Sequence, residues 1–164
     1  MKTLISWFFA VLAFSIIFST NFSQAAIKQE TPPNKAVSGF LTPMGKPLKK
    51  PIRIDAGESC IIELIQSYSI SGDISGSVEM NYRIIVYGKC GSPIGTYNEE
   101  WIAYGNFIGA HEGKKVQSKL SYTAKVKAGG DVNGIISFGQ GFRAKITING
   151  NFSDGRLSYN GEAY

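Results

Sequence analysis

From Tyr68 to Ile84 the even positions carry Tyr68, Ile70, Gly72, Ile74, Gly76, Val78, Met80, Tyr82 and Ile84. The odd positions between them carry Ser69, Ser71, Asp73, Ser75, Ser77, Glu79, Asn81 and Arg83. A period of two marks a strand with one face buried. Unbroken, such a run would span roughly 55 Å, too long for a small domain, so the chain must turn inside it. The buried parity survives the turn, which requires an odd connection. Asp73-Ile74-Ser75-Gly76 suits a three-residue hairpin, a type I turn closed by a glycine of positive φ. Asp131-Val132-Asn133-Gly134 repeats the arrangement and is expected to turn the same way. Its flanks, Leu120, Tyr122, Ala124, Val126 and then Ile136 and Phe138, also keep their apolar residues on the even face.

Two further alternating runs obey the same rule. Tyr97, Glu99, Trp101, Ala103, Gly105 and Phe107 share one face, and Phe142, Ala144, Ile146, Ile148 and Phe152 share another. Phe138-Gly139-Gln140-Gly141 interrupts the pattern as a β-bulge would. Leu157 and Tyr159 begin a closing strand. The pattern predicts no long helix after the N-terminal segment. The fold class expected is all-β and antiparallel, a closed barrel of about eight strands. The abundance of glycine suits the tight bends of such a barrel.

The hairpin at Asp73 also sets a register. If Asp73 faces Ser77, Cys60 falls opposite Cys90 in a non-hydrogen-bonded pair, with Cα atoms about 4.5 Å apart. That spacing suits a disulfide. The redox compartment agrees, because residues 1–25 read as a signal peptide. Lys2 is followed by the apolar run Leu4–Phe18 and by Ser23-Gln24-Ala25, small residues suited to cleavage. The expected destination is export, periplasmic or secreted, where paired cysteines are bridged.

The net charge of +5 invites a nucleic-acid reading until it is located. Residues 26–53 hold six Lys or Arg and one Glu, whereas 54–164 hold ten basic and eleven acidic residues. Residues 26–55 are therefore set apart as a basic leader rich in Pro, Gly and Lys, and 56–164 as the barrel domain. The leader reads first as a solvated arm. Its second reading is contact with an anionic membrane surface. No nucleic-acid partner is expected.

The stretches SGDISGSVEMNY (71–82), GNFIG (105–109), LSYTAKVKAGGDVNG (120–134) and NGNFSDGRLSY (149–159) resemble the DUF3224 family. These are small bacterial proteins of unknown function, related in shape to the allene oxide cyclase barrel. The likeness spans roughly residues 67–160 and rests on glycine and turn patterns. It implies an eight-stranded, calycin-like barrel and no established activity. The leader, the signal peptide and the cysteine pair depart from the family pattern.

Candidate chemistry is sparse. Each Gly-Asp-x-x-Gly motif offers one carboxylate on the polar face, short of the several oxygen ligands calcium takes. Two cysteines and one histidine fit no zinc pattern, and there is neither a nucleophile elbow nor a dinucleotide fingerprint. No metal or cofactor is expected. His111 reads as a surface-loop residue between strands and Gln140 as part of the bulge. Glu99 stands out because parity sets a carboxylate on the apolar face. It reads as a rim residue, and otherwise as an acid–base group or a polar anchor for a ligand.

The leading functional reading is a binding barrel for a small hydrophobic molecule, lined by Tyr82, Tyr97, Trp101, Phe107, Tyr122 and Phe138. Those side chains simply filling the barrel is the competing reading. One alternative is an isomerase or cyclase using Glu99. The other is a small outer-membrane barrel, since alternation alone does not say which face is lipid.

Overall fold

The computed structural model describes residues 34–164 apart from Ile94. The expected signal peptide lies outside the described residues. The strands are β1 (Lys35–Pro43), β2 (Ile52–Asp55), β3 (Cys60–Gly72), β4 (Ile74–Val86), β5 (Glu99–His111), β6 (Lys114–Val126), β7 (Asp131–Gly141), β8 (Ala144–Asn151) and β9 (Leu157–Ala163). A short 3-10 turn, Phe152–Asp154, separates β8 from β9. All pairings are antiparallel, and β3 to β9 succeed one another as a meander. β1 closes the ring by pairing with β9 on one edge and with β3 on the other. The result is the expected all-β closed barrel of eight strands, with β2 outside the ring.

The alternation sorts the faces as expected. Val78, Met80, Ala103, Phe107, Tyr122, Ile136, Ile146 and Ile148 are buried in the interior. Lys115, Gln117, Lys119, Thr123 and Lys125 of β6 face outward. The bulge also appears where expected: Lys119 is the one residue between pairs Ser118↔Gly141 and Leu120↔Phe138, opposite Gly139 and Gln140.

Both expected hairpins are displaced. β3 and β4 pair as Ile70↔Gly76, so the chain turns about Asp73, and Cys60 faces Val86 rather than Cys90. The odd connection is right, but the register is not. Gly72, at φ 112°, makes the corner where β1 passes so close that an added Cβ would lie 2.6 Å from the Cα of Gly39. The Asp73 carboxylate does not bond its own turn. Its Oδ2 accepts from the Ser38 amide at 2.7 Å and from Ser38 Oγ at 3.1 Å, and Asp73 N donates to Ser38 O at 3.0 Å. Asp73 therefore ties the first corner to the strand that closes the barrel.

The second hairpin turns at Lys127–Gly130, with Gly130 N donating to Lys127 O. Asp131 and Gly134 belong to β7. Gly134 is needed for packing, because a Cβ there would lie 2.6–2.7 Å from Ala124 and the Tyr122 ring. Turn chemistry pointed to Asp-x-Asn-Gly, but the Gly129-Gly130 pair preceding it takes the two positive φ angles, 100° and 94°.

The disulfide joins Cys60 to Cys90 as expected, with Cα atoms 4.9 Å apart, though by a different route. Cys90 lies in the connection after β4, which folds back over the start of β3 instead of extending the ladder. The leader is also revised. Residues 35–43 are a barrel strand and 52–55 pair with β3, so this stretch is wall rather than a solvated arm.

Pro43, Pro47 and Pro51 shape that wall. Proline has no amide hydrogen to give a ladder. Between β1 and β2 the backbone bonds to β3 are two among the described residues, Met44 N to Ser67 O and Leu48 N to Ile65 O. The Gln66 side chain of β3 adds Nε2 donating to Gly45 O at 3.3 Å and to Met44 O at 3.5 Å. β1 leaves β9 at Leu41↔Leu157, and among the described strands β2 pairs with β3 alone. The barrel is consequently closed by backbone bonds over one half of its height and split along a seam over the other.

The disulfide spans 30 residues, a loop whose closure is worth about 3–4 kcal/mol in the unfolded chain. The Cys60→Ser/Cys90→Ser protein should lose about that much stability in urea unfolding, and reductant should then have no further effect. Equal midpoints with and without the bridge would contradict this.

Candidate functional site

The split half of the barrel encloses a cavity of about 320 Å³. Its walls are strand residues of the even face, Ile62, Leu64, Gln66, Tyr68, Tyr82 and Ile84, joined by Glu99 and Trp101 from β5. Pro43, Pro47, Pro51 and Arg53 form one lip of the seam, and Phe152, Arg156 and Leu157 form the other. A largely apolar concavity of this size with a few fixed polar groups is the usual form of a small-molecule site.

Trp101 is held from two sides. Its Nε1 donates to Glu99 Oε2 at 2.7 Å, and its ring meets the Tyr82 ring edge-on at 6.0 Å between centroids. Phe152 packs on its other side at 6.4 Å. The second Glu99 oxygen, Oε1, accepts from the Gly95 amide at 3.2 Å. Only 3% of Glu99 is exposed. A carboxylate so buried needs charge-assisted hydrogen bonds, and here one oxygen sets the indole while the other holds the β4–β5 connection. Glu99 is thus an anchor inside the wall, not a rim residue, and both its oxygens are already engaged.

Below Trp101 lie three tyrosines. Tyr82 donates to the Tyr68 hydroxyl at 2.9 Å, and the Tyr82 and Tyr122 rings meet edge-on at 6.0 Å. The Tyr122 hydroxyl is buried without a hydrogen-bond partner among the described residues. Burial pushes all three phenols above the usual tyrosine range. For Tyr82, the neighbouring Tyr68 and Tyr122 push the same way; for Tyr68, the hydrogen bond from Tyr82 opposes the shift.

The six expected lining residues divide. Tyr82 and Trp101 line the cavity. Tyr97 is half-buried and packs over Gly88. Tyr122 belongs to the filled floor. Phe107 and Phe138 lie beyond it, stacked edge-on at 5.4 Å and joined by Phe142, which closes the opposite end. The barrel is therefore packed at one end and hollow at the other. Ile62, Leu64, Tyr68 and Ile84 belong to the same alternation, which does not distinguish a cavity wall from core. The proline lip carries no strand pattern that would reveal it, and Phe152, expected at the end of an alternating strand, lies instead in the 3-10 turn after β8. His111, expected in a surface loop, is instead the half-buried last residue of β5 and closes the packed end, its Nδ1 3.0 Å from Asp73 O and its ring on Phe142.

Among the described residues no group of three or more His, Cys, Asp or Glu side chains could hold a metal ion. Comparison with family models, with curated proteins and with solved structures gives no match.

The tyrosines make the fold alkali-sensitive. An unfolded chain releases phenolic protons near pH 10, whereas the folded barrel retains those of Tyr68, Tyr82 and Tyr122. Their contribution is fully present below pH 10 and is lost as pH rises through the raised folded values. Stability should fall above about pH 10, with the tyrosinate absorbance of the three buried phenols appearing in step with unfolding. Tyr122→Phe should leave stability unchanged or raise it by about 1 kcal/mol, since it removes an unpartnered buried hydroxyl. A loss of more than about 1 kcal/mol would show that the hydroxyl is bonded.

Proposed function

We propose that this is an exported binding protein whose barrel accepts a small hydrophobic molecule through the seam. The observation that carries the reading is the asymmetry of filling. Phenylalanines pack one end, while the other end leaves about 320 Å³ between fixed aromatic walls. A barrel needing only a core would collapse such a space, because each empty volume forfeits dispersion contacts. Glu99 serves the reading by locking Trp101 into the cavity wall before any ligand arrives, which lowers the ordering cost of binding.

Export is supported by the disulfide, which belongs to oxidising compartments, and by the signal-like segment. No helix among the described residues is long and apolar enough to cross a membrane. The direction of the side chains favours a barrel surrounded by water over an outer-membrane one. The apolar face is inside, and β6 turns three lysines outward, Lys115, Lys119 and Lys125. A membrane barrel needs an apolar band there. Kinship with the DUF3224 barrels is compatible with this reading, resting on the closed eight-stranded form and on the quoted motifs.

The neutral dye N-phenyl-1-naphthylamine, which brightens on leaving water, should bind the purified protein with micromolar affinity. Ile62→Trp, which fills the cavity from its wall, should abolish the signal while keeping the melting temperature within a few degrees. Binding unchanged by Ile62→Trp, or absent from the native protein, would contradict the reading.

A further inference from the structure

The seam carries positive charge that no carboxylate among the described residues neutralises. Arg53 pairs across β2–β3 with Ile62, and cross-strand partners share a face, so Arg53 stands on the cavity side of its strand. Arg156 stands on the facing lip, just before β9, with its guanidinium 4.3 Å from the centre of the Phe40 ring. Both line the mouth of the cavity and both are exposed. Neither is among the ion pairs of the described residues, which are Lys35–Glu112 and Arg83–Glu63. The segment joining β1 to β2 adds Lys46, Lys49 and Lys50.

The one carboxylate in the lining does not cancel these cations. Glu99 lies inside, with Oε2 on the Trp101 indole and Oε1 on the Gly95 amide. The polar lining is therefore split by depth: an apolar aromatic chamber within, and at the entrance two guanidiniums without an ion-pair partner among the described residues, that of Arg156 resting on the Phe40 ring. Guanidinium groups suit planar or tetrahedral oxyanions through paired N–H donors. Clefts lined by one sign of charge also concentrate ligands of the opposite sign.

We propose that the ligand is a single-chain amphiphile with an anionic head, its tail against Tyr68, Tyr82 and Trp101 and its head between Arg53 and Arg156. This rests on the cavity reading and adds the class of molecule. At about 30 Å³ for a water-sized unit, the chamber takes a tail of about ten carbons.

The test compares three probes of equal tail length by calorimetry on the purified protein: decanoate, 1-decanol and decyltrimethylammonium. Decanoate should bind about tenfold more tightly than decanol at low salt, and the cation more weakly than either. The advantage should shrink as salt screens the exposed mouth. Arg53→Gln/Arg156→Gln should remove about tenfold of decanoate affinity and leave decanol unchanged. Both arginines are exposed, so the melting temperature should hold, and decanol binding reports an intact chamber. Decanoate and decanol binding alike, or tighter binding of the cation, would overturn the anionic head while leaving the cavity reading intact. Failure of all three probes to bind would overturn both.

Discussion

Everything in this molecule depends on how β1 closes the barrel. A closed sheet must satisfy both edges of its last strand, and β1 does so with β9 on one side and β3 on the other. The contact is secured where the chain turns hardest. Asp73 grips the backbone and side chain of Ser38 at the corner between β3 and β4, and Gly72 lets the two backbones meet. The pairing with β9 ends at Leu41↔Leu157, where β9 itself begins, and Pro43, Pro47 and Pro51 follow in the chain. Beyond β1 the chain becomes a wall that lies against β3 alone and leaves a seam facing the start of β9. A single chain segment thus supplies both closure and opening.

The two halves consequently differ in kind. Where all edges are bonded, the interior narrows onto Phe107, Phe138 and Phe142 and is solid. Where the seam runs, the walls stand apart and the chamber remains. The disulfide and Glu99 both act at this open end. Cys90 pins the connection after β4 over the start of β3, and Glu99 holds Gly95 of the same connection. A hollow end lacks the packing that would otherwise fix its loops. Covalent and charge-assisted ties take that role.

Much of the fold was legible because alternation depends on burial alone. The even face of β3 to β8 could be read without knowing which strand met which. Register was not legible to the same degree. The odd connection at Asp73 came from parity, but parity is blind to a slip of an even number, and Cys60 meets Val86 where Cys90 was expected. The disulfide was reached in spite of that slip, because the connection after β4 doubles back. At the second hairpin, Asp131-Val132-Asn133-Gly134 has good turn composition, yet Gly129-Gly130 takes the corner. The leader was misread because proline and lysine dominated its composition, although Val37, Gly39 and Leu41 already alternate there.

The site was half legible. Trp101, Tyr82 and the inward Glu99 lay on the expected face, but the sequence could not say which end of the barrel was hollow. That depends on where β1 leaves β9, a long-range pairing with no local signature. The most direct measurement is therefore a crystal structure of the protein grown with ω-bromodecanoate, located by the anomalous signal of bromine. The account predicts a bromine peak inside the chamber beside Tyr82 and Trp101, with the carboxylate at Arg53 and Arg156. A seam closed by backbone pairing between β2 and β9, or bromine lodged anywhere outside the chamber, would contradict it.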